Sequence, residues 1–170
     1  MEELYSVCEH PGVQILIGPH RVWAGSKFLN PDCIEQVDLL VAVGGHLPVQ
    51  PGEICSTPVL WLPLEDFGGV PHDWYRLLVE KVIPQLDEGK RLAFFCHAGH
   101  GRTGTILASL VALLEPDTDD PIEAIRSRYC REAVETRKQI EAVFALRDEN
   151  PPSRYNTKFG GQPLSGKKDE

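Results

Sequence analysis

The most informative segment of the sequence, CHAGHGRTG, runs from Cys96 to Gly104. It follows the short apolar segment Leu92–Phe95, which predicts a buried strand, and precedes Ile106–Leu114, which is apolar on almost every side and predicts a central helix. A glycine-rich turn between a strand and a helix can aim several backbone N–H groups at one point, where the helix N-terminus adds its positive end. We therefore expect an anion cradle of phosphate or sulfate size at this turn.

Two side chains of this turn could take part in a reaction with a bound anion. Cys96 stands at the mouth of the predicted cradle, where the same N–H donors would stabilise a thiolate. Arg102 carries a planar guanidinium that can hold two phosphate oxygens at once. The alternative is a glycine-rich turn around a buried, inert cysteine. That alternative accounts for the glycines but leaves the pair Arg102-Thr103 at the helix start unexplained.

The spacing of a cysteine, five residues, an arginine and a threonine resembles the signature of the protein tyrosine and dual-specificity phosphatase superfamily. The similarity runs roughly from Val13 to Arg147. It implies an α/β fold with a central, mostly parallel sheet of about four to five strands flanked by helices, the cysteine phosphatase fold. It also implies a hydrolase that cleaves phosphomonoesters through a phosphocysteine intermediate. No metal or cofactor is expected, because the cradle supplies the positive potential.

The same resemblance assigns roles to individual residues. Cys96 is the nucleophile, and Thr103 hydrogen-bonds Cys96 and eases its departure in the second step. The expected phosphate-binding residues are His97, Ala98, Gly99, His100, Gly101, Arg102 and Arg131. Arg131 lies in a segment that resembles a later loop of the family, an arginine-containing turn leading into a helix, and Gln139 falls near the position of a family glutamine. Ordinary polarity on a helix surface is the alternative for Arg131 and Gln139.

One position departs from the family pattern. The family usually has a histidine immediately before the nucleophile, where it helps order the loop, and this chain has Phe95 there. We still expect a thiolate at Cys96, because the cradle and Arg102 remain. Phe95 slightly favours a pseudophosphatase, a protein that binds phosphorylated partners without hydrolysing them. The presence of Cys96, Arg102 and Asp66 disfavours a pseudophosphatase.

Phosphoester cleavage needs a proton for the leaving oxygen, and the family takes it from an aspartate on a loop about 30 residues before the cysteine. Here the apolar segment Val59–Leu64 runs into the sequence EDFGGVP, residues 65–71. Asp66 is the predicted general acid, which protonates the leaving group and then activates water. Glu65 and Asp73 are the alternatives, and a solvated acidic turn without a catalytic role is a further one.

His97 and His100 occupy variable positions of the loop. In the phosphoinositide-phosphatase branch of the family these two positions are lysines. The two histidines therefore either indicate a more anionic substrate or are side chains that simply face solvent. A metal site of Cys96, His97 and His100 is disfavoured, because a metal would block the cradle and the spacing matches no common zinc pattern. The remaining cysteines are expected to be buried or incidental thiols: Cys8, Cys33, Cys55 and Cys130.

The rest of the chain alternates strand and helix patterns. Further strands are predicted at Val13–Gly18, Val22–Trp23, Val37–Val43 and Val59–Leu64, and helices at Pro31–Gln36, His72–Gly89, Ile122–Tyr129 and Thr136–Arg147. Pro84 should kink or end the second of these helices. We expect a single catalytic domain over residues 1–150 and a polar, mobile tail over residues 151–170.

Composition limits the partners. The chain has 170 residues and a net charge of −8, and its apolar runs are too short to cross a membrane. Acidity argues against nucleic acid and anionic membranes, although Lys90, Arg91 and Arg102 make the segment around the turn locally basic. Five cysteines without a secretory signal predict a reduced, cytoplasmic protein. The expected substrate is phosphotyrosine, with phosphoserine and phosphothreonine beside it, in a protein or peptide. Phosphoinositides and other non-protein phosphates are the alternative.

Overall fold

The structure is a computed structural model that describes residues 10–44, 57–65 and 68–156. Its centre is a sheet of five strands: β1 (Val13–Ile17), β2 (His20–Ser26), β3 (Leu39–Val43), β4 (Val59–Leu62) and β5 (Leu92–Cys96). The strands lie in the order β1-β2-β5-β3-β4. The β1–β2 pair is antiparallel, and the other neighbouring strands run parallel. The predicted α/β class with a mostly parallel central sheet is confirmed.

Helical segments flank this sheet: α1 (Pro31–Gln36), α2 (Trp74–Leu77), α3 (Ile83–Asp87), α4 (Gly101–Leu114), α5 (Pro121–Arg128) and α6 (Arg137–Ala145). A π-helical turn over Leu78–Val82 joins α2 to α3, and the N–H of Ile83 donates to the carbonyl of Leu78. Pro84 therefore neither ends nor breaks the predicted helix there. The wider turn accommodates a residue that has no N–H and that would crowd the carbonyl of an ordinary α-turn.

Strand β5 is buried along its whole length and lies in the middle of the sheet. Its successive side chains point to opposite faces. Phe94 belongs to the main core cluster, which includes Ile106 and Leu110 of α4, whereas Phe95 belongs to a smaller cluster with Ile34 of α1. Because the central strand leads directly to the central helix, their connection lies at the carboxyl edge of the parallel strands, where α/β sheets bind ligands. We call this connection, residues 97–100, the cradle loop.

The end of the described chain corrects the predicted domain boundary. Residues Ser153–Asn156 form a 3₁₀ turn, and Tyr155 is buried against the core. The Tyr155 hydroxyl donates to Asp120 at 2.6 Å, and Arg154 also bonds this carboxylate. The prediction counted these residues with a mobile tail; a buried aromatic ring and a shared carboxylate hold them on the domain instead. Residues 157–170, the rest of the predicted tail, lie outside the described residues.

Helix length also bears on the membrane question. None of the helices in the described ranges is both long and apolar enough to cross a membrane.

Candidate active site

The cradle loop folds back onto the cysteine that precedes it. Cys96 ends β5 opposite Ser26 of β2, and only 6% of its surface is exposed. The backbone N–H of Gly99 donates to Cys96 Sγ at 3.2 Å. Gly99 has a φ of +80°, and a Cβ there would lie 3.0 Å from the backbone of Gly25. Only glycine fits this position, because any side chain would be strained in conformation and pressed against β2.

Helix α4 begins immediately after the loop. His100 is its N-cap residue, and within the described part of the chain its side chain makes no capping hydrogen bond. The first turn of α4 carries no acidic residue. Since the first N–H groups of a helix have no partner within the helix, this end presents donors and a positive dipole to an anion.

Arg102 lies in the first turn of α4 and is 6% exposed. Its guanidinium packs against Gly44, the residue after β3, where φ is +137° and a Cβ would collide with the Arg102 side chain. The glycine at the end of β3 thus makes room for a buried cation beside the carboxyl edge of the sheet.

Thr103 does not make the predicted hydrogen bond to Cys96. Its fully buried hydroxyl donates to the carbonyl of Gly25 at 3.3 Å. A hydroxyl has one proton to donate, and the end of β2 takes it here. Thr103 therefore ties α4 to β2, and Cys96 Sγ keeps the Gly99 N–H as its donor.

Tyr129, which the sequence analysis did not single out, holds the cradle loop from the other side. Its hydroxyl donates to the carbonyl of Gly99 at 2.6 Å. This bond turns the Gly99 carbonyl away from the cysteine, while the N–H of the same residue points to it. No local signal could have found Tyr129, because the contact joins residues thirty positions apart.

The turn after Tyr129 packs directly on α4. A Cβ on Gly104 would lie 2.7 Å from the side chain of Ala133, so glycine permits this close approach. Val134 has a φ of +65°, which is strained for a β-branched residue. Arg126 holds the strained turn by donating to the carbonyls of Ala133 and Val134, both at 2.9 Å.

Arg131 and Gln139 have different environments. Arg131 is exposed in this turn, and its approach to a phosphate stays a prediction. Gln139 is 1% exposed, and its side-chain oxygen accepts from the N–H groups of Glu135 (2.8 Å) and Thr136 (3.2 Å). Thr136 accepts from the Gln139 N–H in return, which completes a capping box at the start of α6. Helix-surface polarity is therefore the wrong explanation for Gln139.

A further carboxylate borders the site. A Cβ on Gly101 would lie 3.0 Å from the carboxylate of Glu135 and 3.3 Å from Gln139 Nε2. Glu135 therefore lies beside the start of α4, half-buried. The sequence analysis missed it, because it belongs to a turn that only the packing of α6 on α4 brings here.

The predicted general acid Asp66 lies outside the described residues, but its flanks are described. The Gly68 N–H donates to the Glu65 carbonyl at 3.2 Å, and the Gly68 carbonyl accepts from the Thr136 hydroxyl at 3.0 Å. This docks the end of the acidic loop on the N-terminus of α6, whose Gln139 borders Gly101.

The two alternative acids differ in burial. Glu65 is exposed, and Asp73 is half-buried at the start of α2, where its side chain caps no described N–H. The choice among the acids stays open at this point.

The two loop histidines differ in burial. His97 and Ala98 are exposed, and the His97 carbonyl accepts from the Lys27 N–H at 3.3 Å. His100 is half-buried, with its Nδ1 3.2 Å from His10 Nε2 and 3.3 Å from Cys130 Sγ. Burial, and then the neighbouring His100, hold the pKa of His10 below its ordinary value. The structure thus groups His100 with His10 and Cys130. This group differs from the disfavoured metal-binding set of Cys96, His97 and His100.

The other cysteines can be placed in part. Cys33 and Cys130 are buried thiols, and burial raises the pKa of Cys33 to about 11. Cys8 and Cys55 lie outside the described residues.

Comparison with known proteins gives close sequences without an assigned role. No protein-family model matches the chain. Two proteins of Methanocaldococcus jannaschii, MJECL20 and MJ0215, both named as uncharacterized, are 38% and 40% identical over 87 residues. Each match covers 51% of this chain, and 58% and 54% of the relative. The matched part thus spans only about half the length of the curated relatives.

Solved structures show the fold. Tk-PTP in its active form aligns with a TM-score of 0.60 at 19% identity, over 80% of this chain and 97% of that one. Kinase associated phosphatase, crystallised with serine for its catalytic cysteine, gives 0.63 at 16% identity, over 83% and 96%. PTPMT1 in complex with PI(5)P gives 0.56 at 18% identity, over 75% and 90%. The chain therefore has the fold of the protein tyrosine and dual-specificity phosphatases, as its Cys96–Gly104 turn predicts.

Proposed function

We propose that this protein is a cysteine phosphatase that hydrolyses phosphomonoesters through a phosphocysteine on Cys96. The observation that carries the proposal is the hydrogen bond from the Gly99 N–H to Cys96 Sγ. It shows a backbone donor of the β5–α4 connection aimed at the sulfur, which is what a stable thiolate needs. A cytoplasmic location is part of this proposal, because a reducing compartment keeps thiols out of disulfides.

In the first step of the proposed reaction, a lone pair of the Cys96 thiolate attacks phosphorus. The S–P bond forms as the bond from phosphorus to the leaving oxygen breaks, and that oxygen takes a proton from Asp66. Arg102 and the N–H groups of the cradle loop hold the equatorial oxygens, on which negative charge develops. We propose that Arg131, which is exposed on the neighbouring turn, closes over the bound phosphate.

In the second step, water attacks phosphorus and gives its proton to the Asp66 carboxylate. The S–P bond breaks, which releases inorganic phosphate and restores the Cys96 thiolate. Thr103 supports both steps through position alone, since its hydroxyl bonds the Gly25 carbonyl and fixes the start of α4 against β2. No metal or cofactor takes part in the proposed mechanism.

Phosphotyrosine in a protein or peptide is the substrate that the rim of the site favours. Lys27 bonds the cradle loop through the His97 carbonyl, and the next residue, Phe28, has 72% of its surface exposed. An exposed aromatic ring beside an anion cradle can stack on the ring of a phosphotyrosine. Phosphoserine and phosphothreonine lack such a ring, so they are expected to be weaker substrates.

A phosphoinositide is the second candidate substrate. The observation in its favour is the shared fold with PTPMT1, which was crystallised with PI(5)P. The net charge of −8 weighs against a strongly anionic lipid surface, which makes the soluble phosphopeptide the first choice.

The test is phosphate release from para-nitrophenyl phosphate, a phosphotyrosine peptide, a phosphoserine peptide and a soluble phosphoinositide. We expect turnover by the wild type, none by Cys96→Ser, and full activity in the matched control Cys33→Ser, which also alters a buried free thiol. Equal activity of the wild type and Cys96→Ser would contradict the mechanism. Binding of the phosphopeptide without turnover by the wild type would show a binding module instead.

The general acid is tested separately, because more than one carboxylate is a candidate for this role. Asp66→Asn should slow hydrolysis of an alkyl phosphate by about 10²–10⁴-fold. It should affect para-nitrophenyl phosphate much less, because that leaving group needs little protonation. Glu135→Gln is the matched comparison, and Glu65→Gln and Asp73→Asn test the two alternative acids in the same way. If Asp66→Asn leaves both rates unchanged, the acid is whichever of these variants shows the leaving-group effect.

A further inference from the structure

Three side chains with metal-binding atoms meet beside the cradle loop. They are His10, which precedes β1, His100, which caps α4, and Cys130, which follows α5. His100 Nδ1 lies 3.2 Å from His10 Nε2 and 3.3 Å from Cys130 Sγ, and the three ligand atoms lie within 4.8 Å of one another. Their segments are far apart in sequence, so the fold alone assembles this group.

The backbone holds each of the three residues in place. The His10 carbonyl accepts from both the N–H (2.8 Å) and the hydroxyl (3.1 Å) of Ser26 at the end of β2. His100 is fixed by the bond from the Gly104 N–H to its carbonyl at 2.8 Å. Cys130 is buried at the end of α5. A set of donors that is already assembled loses little conformational freedom when a metal binds.

We propose that His10, His100 and Cys130 form a binding site for a single Zn²⁺ ion. Two imidazole nitrogens and one thiolate are ligands that zinc prefers, and three protein ligands with an open fourth position are a common arrangement. A tetrahedral zinc site separates its nitrogens by about 3.3 Å and a nitrogen from a sulfur by about 3.6 Å. The two separations from His100 Nδ1, 3.2 and 3.3 Å, lie close to these values, and the remaining pair of ligand atoms lies within 4.8 Å.

The surroundings of His100 support the same assignment. Its second ring nitrogen, Nε2, lies 3.8 Å from a carboxylate oxygen of Glu132. Ligand histidines usually direct their other N–H to such a carboxylate, which fixes the ring and leaves the first nitrogen for the metal. On binding, Zn²⁺ replaces the thiol proton of Cys130, and that proton passes to solvent.

The zinc site shares a residue with the cradle loop but no ligand with the proposed reaction. Since His100 is the N-cap of α4, a metal on its ring would stiffen the loop that holds the phosphate. Zinc binding therefore stands as a property of this protein whether or not it hydrolyses phosphoesters.

Two measurements on the full chain test the site. The first is competition for Zn²⁺ against a chromogenic chelator, and the second is the absorption spectrum with Co²⁺ as a zinc substitute. We expect one equivalent of metal, a thiolate-to-cobalt charge-transfer band in the near ultraviolet, and the visible bands of tetrahedral cobalt. Cys130→Ser should abolish the charge-transfer band, and His10→Ala should weaken metal affinity by at least about 10-fold.

Cys33→Ser and Cys96→Ser are the matched controls, because each removes a buried free thiol outside the group. Both should keep the band and the affinity. Loss of the band in Cys96→Ser with its retention in Cys130→Ser would overturn the proposal and place the metal on the predicted nucleophile. Wild type that binds no zinc, or that binds cobalt without a thiolate band, would also overturn it, and neither result depends on how well a variant folds.

Discussion

The two ends of α4 (Gly101–Leu114) carry opposite kinds of polar chemistry. At its C-terminal end, Arg147 donates to the carbonyls of Ala112 (3.0 Å) and Glu115 (2.7 Å), and Arg128 makes a two-pronged bond to the Glu115 carboxylate at 2.6 and 2.8 Å. At its N-terminal end, the first turn itself carries no acidic residue, and the Glu135 carboxylate lies beside Gly101. The C-terminal end is completed by arginine side chains, whereas we propose that the N-terminal end binds an external anion.

This difference separates stability from function along a single helix. Charged groups that are paired with one another stabilise the folded chain. Donors that await an anion contribute to binding and catalysis once the anion is there. Changes at the N-terminal end should therefore affect turnover, and changes at the C-terminal end should affect the free energy of unfolding.

The largest expected effect is at Arg102. Arg102→Lys keeps the positive charge but removes the planar fork, so kcat/KM for para-nitrophenyl phosphate should fall by about 10²–10³-fold. The matched control is Arg91→Lys, in an exposed ion pair with Asp38, which should leave turnover unchanged. Equal rates for both variants would show that the N-terminal end of α4 does not bind the phosphate.

Two glycines with the same backbone conformation, one in the cradle loop and one outside it, allow strain to be separated from loss of function. Gly99 and Gly89 have φ values of +80° and +82°, but a Cβ on Gly99 meets the backbone of Gly25, whereas one on Gly89 meets no described atom within 4 Å. Both alanine variants should lose about 1 kcal/mol of stability through strain, and Gly99→Ala should lose more, because its Cβ also presses on the backbone of Gly25. Only Gly99→Ala should also lose activity, by at least about 10-fold, because the loop must move. Urea unfolding and steady-state kinetics measure the two effects, and an active Gly99→Ala would contradict the assigned loop geometry.

Acid should weaken the C-terminal end selectively. The hydrogen bonds from Arg128, followed by those from the Gly18 N–H and the Thr118 hydroxyl, lower the pKa of Glu115 from 4.5 to about 2. A carboxyl group whose pKa is lower in the folded state stabilises the protein above its unfolded value and loses this contribution as pH falls towards the folded value. The free energy of unfolding should therefore decrease between about pH 4.5 and pH 2.

Glu115→Gln should flatten this pH dependence. At neutral pH it should cost about 1–2 kcal/mol, allowing for solvent screening, with kcat unchanged. The control Glu141→Gln breaks an exposed pair with Arg137 and should cost no more than about 0.5 kcal/mol. A steep loss of turnover in Glu115→Gln at a temperature where it is folded would contradict the division between the two ends.

The smallest expected effect concerns substrate choice. Phe28→Ala should raise KM for a phosphotyrosine peptide by about 2–10-fold, which corresponds to the free energy of one contact between aromatic rings. It should leave kcat/KM for an alkyl phosphate unchanged. Tyr75→Ala, which removes another exposed aromatic ring, is the control. An equal change for both substrates would mean that Phe28 does not contact the substrate ring.

Local patterns were enough to predict much of the fold. Helix α1 begins and ends where predicted, because Asn30 caps it and Pro31 suits its first position. An apolar run, a glycine-rich turn and an apolar helix follow one another in sequence, which predicts Cys96 directly after a strand that ends at Phe95; in the structure Cys96 is the last residue of that strand.

The rest of the site depends on contacts between distant residues. The partner of Thr103 is Gly25, since β2 lies beside β5, and sequence patterns do not show the order of strands in a sheet. Tyr129 reaches the cradle loop, and Glu135 reaches the first residue of α4, through the packing of α5 and α6 on α4. His10 joins His100 only because Ser26 holds it at the end of β2.

The most direct test of hydrolysis through Cys96 is to trap the phosphocysteine intermediate. Wild type that is turning over a phosphotyrosine peptide is quenched in acid, digested and examined by mass spectrometry. The account predicts a phosphoryl group on the peptide that contains Cys96, and none on the same peptide of Cys96→Ser. Rapid turnover that leaves this peptide unmodified, together with turnover by Cys96→Ser, would contradict it.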